Sequence, residues 1–148
     1  MFTGSVRDNL TYLRPDASRA AVEAAVLELG AAPLVERLGG LDADLRPDAL
    51  SQGERQLLVL ARAYLSEARL LLLDEATCHL DAASEERAEE ALARRPGTLL
   101  VVAHRMSSAV RADRVLLLDG RRAAYGTHEE LLERSSLYRD LVGHWSRT

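Results

Sequence analysis

The spacing of apolar residues changes several times along this chain, and each change marks an element. Between Asp16 and Gly30, Val22, Val26 and Leu29 recur at three- and four-residue steps among alanines, which predicts a helix. Asp16 or Ser18 can cap its start and Gly30 its end. Ala32–Leu38 predicts a second, short helix. Gly39–Asp48, with two glycines, Pro47 and three aspartates, predicts a loop. Gln52–Ser66 returns to helical spacing through Leu57, Leu60, Ala61, Tyr64 and Leu65.

From Leu70 onward the pattern is that of strands alternating with helices. Leu70–Leu73 and Thr98–Ala103 are short continuous apolar runs, the signature of strands buried on both faces. Between them, Ala82–Arg94 is a Glu/Arg-rich helix and Pro96–Gly97 a turn. Ser107–Arg111 predicts a short helix and Arg114–Leu118 a third strand. Asp119–Gly120 turns a hairpin, so Arg122–Tyr125 returns as an edge strand. Thr127 and Glu130 stand at capping-box spacing. A last amphipathic helix carries Leu137, Tyr138, Leu141 and Trp145. This order predicts an α/β layer with mostly parallel strands, preceded by a separate helical subregion.

Composition narrows the function classes. A length of 148 residues suits about one domain, and 47% hydrophobic with 28% charged residues is globular. The formal charge of −4 argues against a nucleic-acid partner. Cys78 is the single cysteine, so no internal disulfide forms. No apolar run approaches the ~18 residues of a membrane helix. Met1–Leu10 has no apolar signal-peptide core. The expectation is a soluble chain acting in the cytoplasm. All 19 basic residues are arginine. Without lysine, no step can use an ammonium side chain.

Four constellations carry candidate chemistry. Leu50-Ser51-Gln52-Gly53-Glu54 sits where a loop enters a helix; a hydroxyl, a glycine and free N–H groups there suit an anion. Taken alone, Ser51 reads as an ordinary N-cap. Asp74-Glu75 ends an apolar strand, at the crevice where parallel sheets bind ligands. Asp74 suits Mg²⁺, and Glu75 can orient or deprotonate a water. Alone, the pair also reads as a solvated strand end. His104 follows the next strand and faces the same crevice, where an imidazole can contact phosphate or move a proton. Alone, it reads as a capping or surface histidine. Leu80-Asp81 alone is a turn into the following helix.

Together, in this order, these residues resemble the ATP-binding-cassette (ABC) ATPases, the exporter branch in particular. The resemblance rests on Leu50–Glu54, Leu70–Thr77, Leu80-Asp81 and Val101–Arg105. The exporter-like tail Val115–Gly120 with Gly126–Leu132 adds to it, as does the opening Phe2–Leu10. It covers essentially the whole chain. It implies a partial P-loop NTPase-like core plus a helical subdomain. Residues 1–66 would form that subdomain, ending in the signature motif and its helix, and 67–148 the C-terminal part of the core. It implies that Ser51 and Gly53, with Gln52 and Glu54 beside them, touch the γ-phosphate of ATP held by a second cassette in a head-to-tail dimer. Asp74 is then the Walker B aspartate acting on Mg²⁺. Glu75 is the catalytic glutamate, His104 the switch histidine and Asp81 the D-loop aspartate at the dimer interface. The implied partners are that second cassette and the transmembrane domain of an exporter, at the cytoplasmic face of the cell membrane.

The sequence also departs from the family pattern. It contains no G-x-x-x-x-G-K-[ST] phosphate loop. The family's glycine is replaced by Gln52, its glutamine by Glu54 and its D-loop serine by Cys78. The loop at Leu45–Ala49 is short and lacks the family's glycines. The expectation is that the chain alone binds ATP weakly or not at all and is no competent ATPase by itself. The alternatives are a non-catalytic module that docks on an intact cassette, or a degenerate fragment.

Overall fold

Ser5 starts the first helix. In the computed structural model, which describes residues 1–103, 105–120 and 122–145, β1 (Gly4–Ser5) runs directly into α1 (Val6–Thr11). The Ser5 hydroxyl accepts the Asp8 N–H at 2.9 Å, and the Asp8 carboxylate accepts the Ser5 N–H at 3.1 Å. Apolar spacing does not reveal this helix, because it is only six residues long. The reciprocal cap at its start is its clearest sequence signal.

The elements fall into two compact units, Met1–Val102 and Ala103–Thr148. In the first unit, α2 (Arg19–Glu28), α3 (Ala32–Arg37) and α4 (Gln52–Leu65) follow α1, and all three lie where apolar spacing places helices. The predicted loop after α3 differs in part. It holds β2 (Asp44–Leu45), paired antiparallel with β1, and a 3-10 turn at Pro47–Ala49. Leu45 is fully buried by that pairing. A two-residue strand has no periodicity to read; its cause is a long-range partner.

Helix α4 is the axis of the first unit. Leu58, Leu60, Ala61 and Leu65 are buried together with Leu10 of α1 and Val22, Ala25 and Val26 of α2. Each fully buried leucine contributes roughly 1.5–3 kcal/mol of transfer free energy. Arg62 ties the outer surface: its Nε donates to the Asn9 carbonyl at 2.7 Å and its guanidinium lies over the Tyr12 ring.

Helix α4 leads to β3 (Leu70–Asp74), α5 (Ala82–Ala93) and β4 (Thr98–Val102). The strands pair in parallel, from Leu70↔Thr98 to Asp74↔Val102. The expectation of burial on both faces is corrected here. Leu73 is buried, and Leu71, Leu99 and Val101 pack on the core. On the other face Leu70, Leu72, Leu100 and Val102 are exposed, Leu72 by 61%. A continuous leucine run puts apolar side chains on both faces of a strand, whose period is two. Here only one face meets the core.

The second unit contains α6 (Met106–Arg111), β5 (Val115–Asp119), β6 (Arg122–Gly126), α7 (His128–Arg134) and α8 (Ser136–Trp145). β5 and β6 form the expected antiparallel hairpin, so parallel pairing among the described residues is confined to β3–β4. Thr127 and Glu130 make the reciprocal cap of α7. Leu131 and Tyr138 are buried, and the Tyr138 hydroxyl lies 2.9 Å from His128 Nδ1. Burial pushes the Tyr138 hydroxyl above its ordinary pKa. No helix among the described residues is long and apolar enough to cross a membrane.

Candidate functional site

Ser51 is the N-cap of α4, and its surroundings are set by Glu54. The Glu54 N–H donates to Ser51 Oγ at 3.3 Å, and the Glu54 carboxylate accepts the Ser51 N–H at 2.8 Å. The Ser51 hydroxyl donates to the same carboxylate oxygen at 2.9 Å. The other Glu54 oxygen is paired with Arg37 at the end of α3. The Ser51 N–H first, then its hydroxyl, then Arg37 hold the Glu54 carboxyl below its usual range. So the hydroxyl suited to an anion is engaged by an internal carboxylate, whose charge Arg37 balances. Gln52 is exposed at the first helical position.

Gly53 packs α4 against the loop after β3. A Cβ there would stand 2.7 Å from the His79 carbonyl oxygen. Backbone cannot yield as a flexible side chain does, so this contact needs glycine.

Asp74 and Glu75 are exposed at the C-terminal end of β3, and Asp74 is paired in register with Val102. Glu75 takes φ = +51°, the left-handed region that disfavours a residue with a Cβ. Such conformations cost about 1–3 kcal/mol and concentrate at functional sites. Gln56 holds the loop that follows. Its Nε2 donates to the Glu75 carbonyl at 3.1 Å and to Cys78 Sγ at 3.2 Å, and its Oε1 accepts the His79 N–H at 2.9 Å. The structure therefore brings segment 51–56 and segment 75–79 together through Gly53 and Gln56. Sequence reading overlooks Gln56, whose only signal is an amide one helical turn past Gln52. Asp81 caps α5, accepting the Ser84 N–H at 3.0 Å and its hydroxyl at 2.8 Å, and these bonds lower its carboxyl pKa. His104 lies outside the described residues.

The donor chemistry at the end of β3 fits Mg²⁺. Two exposed carboxylates supply hard oxygen ligands, and this ion takes one or two of them plus phosphate and water. Among the described residues no group of three candidate metal-binding side chains converges, at the end of β3 or elsewhere, so phosphate and water have to complete the shell.

The family profile described as ABC transporter matches residues 2–78, which include α4, β3 and Glu75. The chain belongs to the ABC transporter family. ABC relatives match over nearly its whole length. The ABC transporter ATP-binding protein RamB of Streptomyces coelicolor is 71% identical over 146 residues, 99% of this chain and 24% of that protein. The ATP-dependent lipid A-core flippase of Chromohalobacter salexigens is 42% identical over 144 residues, 93% of this chain and 25% of the flippase. The solved structure of a bacterial Atm1-family ABC exporter with ATP bound superposes with a TM-score of 0.83 at 35% identity, over 97% of this chain and 26% of that one. The chain thus spans about a quarter of the length of the relatives it matches, in their C-terminal part. The fold is that of an ABC ATPase cassette.

Proposed function

We propose that this chain supplies part of an exporter's ATPase: the signature motif, Walker B, D-loop and switch histidine. Residues 1–66 act as the helical subdomain and residues 67–148 as the C-terminal part of the core. Ser51 and Gly53, flanked by Gln52 and Glu54, face the γ-phosphate of ATP bound to a second cassette in a head-to-tail dimer. Asp74 holds Mg²⁺, which neutralises charge on the transferred phosphoryl group. Glu75 orients the attacking water and accepts its proton, His104 contacts the γ-phosphate, and Asp81 stands at the dimer interface. The chain has no lysine, so the lysine of a phosphate loop has to come from another segment or chain. The assembled protein couples ATP hydrolysis to export through a transmembrane domain, from the cytoplasmic side.

The observation that carries this reading is the Gln56 clamp. It binds the signature helix to the loop that follows Glu75, so side-chain hydrogen bonds join the proposed phosphate-facing element to the proposed water-orienting element. The test is Glu75→Gln in a cassette assembled with this segment. ATP turnover should fall by about 100-fold or more, within the ordinary range for a general base, while ATP binding persists. Unchanged turnover would remove Glu75 from catalysis.

A further inference from the structure

A cavity of about 470 Å³ opens in the first unit at the C-terminal end of α4. It shares no lining residue with the candidate site, and α4 separates it from Ser51 by about 20 Å at 1.5 Å per residue. Four arginines line it, Arg14, Arg69, Arg94 and Arg95, with Tyr64 and a single carboxylate, Glu67. In a chain of net charge −4, such a concentration of positive charge stands out.

The arginines differ in what already satisfies them. Arg94 is neutralised by Glu28 at 2.9 Å and Glu90 at 3.9 Å. Arg14 pairs with Glu67 at 3.2 Å, yet its Nε is buried with no hydrogen-bond partner. Arg95 donates to the Ser66 carbonyl and meets no carboxylate among the described residues; desolvation disfavours its charge. Arg69 is exposed, and its side chain has no hydrogen bond or ion pair among the described residues. Its backbone is nevertheless fixed, because the Arg69 carbonyl accepts the Thr98 N–H at 2.7 Å and Gly97 packs directly on it.

We infer that this cavity binds a phosphoryl group, with Arg69 and Arg95 as its donors and the Arg14 guanidinium, shared with Glu67, adding positive charge. The three side chains come from three places: the segment after α1, the start of β3 and the turn before β4. A carboxylate is satisfied by one guanidinium fork, whereas a phosphoryl group has enough oxygens to engage several. The volume lies within the usual range of ligand pockets. Pyrophosphate-like solutes and phospholipid headgroups share this chemistry.

The experiment uses the 148-residue chain with two probes. Sodium pyrophosphate is titrated while amide shifts are followed, and flotation is measured with phosphatidylcholine vesicles with and without phosphatidylglycerol. Arg69→Ala is the variant of choice, since the contacts of Arg69 with Thr98 and Gly97 are made by its backbone, which alanine keeps. The expected result is saturable pyrophosphate binding that moves amides 67–69, 94, 95 and 97, weakens with salt and drops at least about tenfold in Arg69→Ala. Flotation that needs phosphatidylglycerol and is lost in Arg69→Ala, without pyrophosphate binding, assigns the same site to a lipid headgroup. Binding unaffected by Arg69→Ala, shifts confined to residues 51–54, or no binding of either probe overturns the inference.

Discussion

Glu54 is an acid placed where the chemistry calls for an anion acceptor, and the structure shows why the position tolerates it. Its carboxylate closes the capping box with Ser51 and is balanced by Arg37. Its folded pKa is depressed, so its contribution to stability is complete above the unfolded pKa and is lost as pH falls through the folded one. Glu54→Gln has no such titration. The variant should be less stable than the parent near about pH 7, and the gap should narrow on acidification to about pH 3. Urea midpoints at the two pH values check this; a gap independent of pH means the carboxylate charge does not matter. The same substitution frees the Ser51 hydroxyl from an anionic acceptor.

At the scale of elements, Gln56 is the joint between helix and loop. Gln56→Ala leaves the His79 N–H and the Glu75 carbonyl without their side-chain partner. The expected loss is about 1 kcal/mol, since the site is solvent-accessible, with faster hydrogen exchange at His79 as the specific readout. Unchanged exchange at His79 would show that Gly53 packing alone holds the loop. The sequence makes α2, α4, α5 and the β5–β6 hairpin legible because each has a period, a cap or a turn dipeptide. It makes Ser51, Asp74, Glu75 and Asp81 legible as candidates because each stands at an element end. What it hides are relations between segments: β2, which exists through β1; the Gln56 clamp; and the cavity arginines, scattered over positions 14, 69 and 95. None of these has a local pattern, because each is made by residues far apart in the chain.

At the scale of the whole chain, the exposed face of β3–β4 dominates behaviour in solution. Leu72 and Leu100 are cross-strand partners, and Leu70 and Val102 extend the same apolar row. Both outer edges of this two-stranded ladder are unpaired among the described residues. An apolar, open-edged ladder is a template for association, and a net charge of −4 opposes it only weakly. The purified chain should therefore self-associate as its concentration rises. Replacing Leu72 and Leu100 together by threonine keeps strand propensity while removing apolar surface. Because both side chains are more than half exposed, unfolding midpoints should shift little, while light scattering at high concentration should fall sharply. Equal scattering from the double variant would place the sticky surface elsewhere, with the β5–β6 row of Leu116, Leu118 and Tyr125 next to be tested.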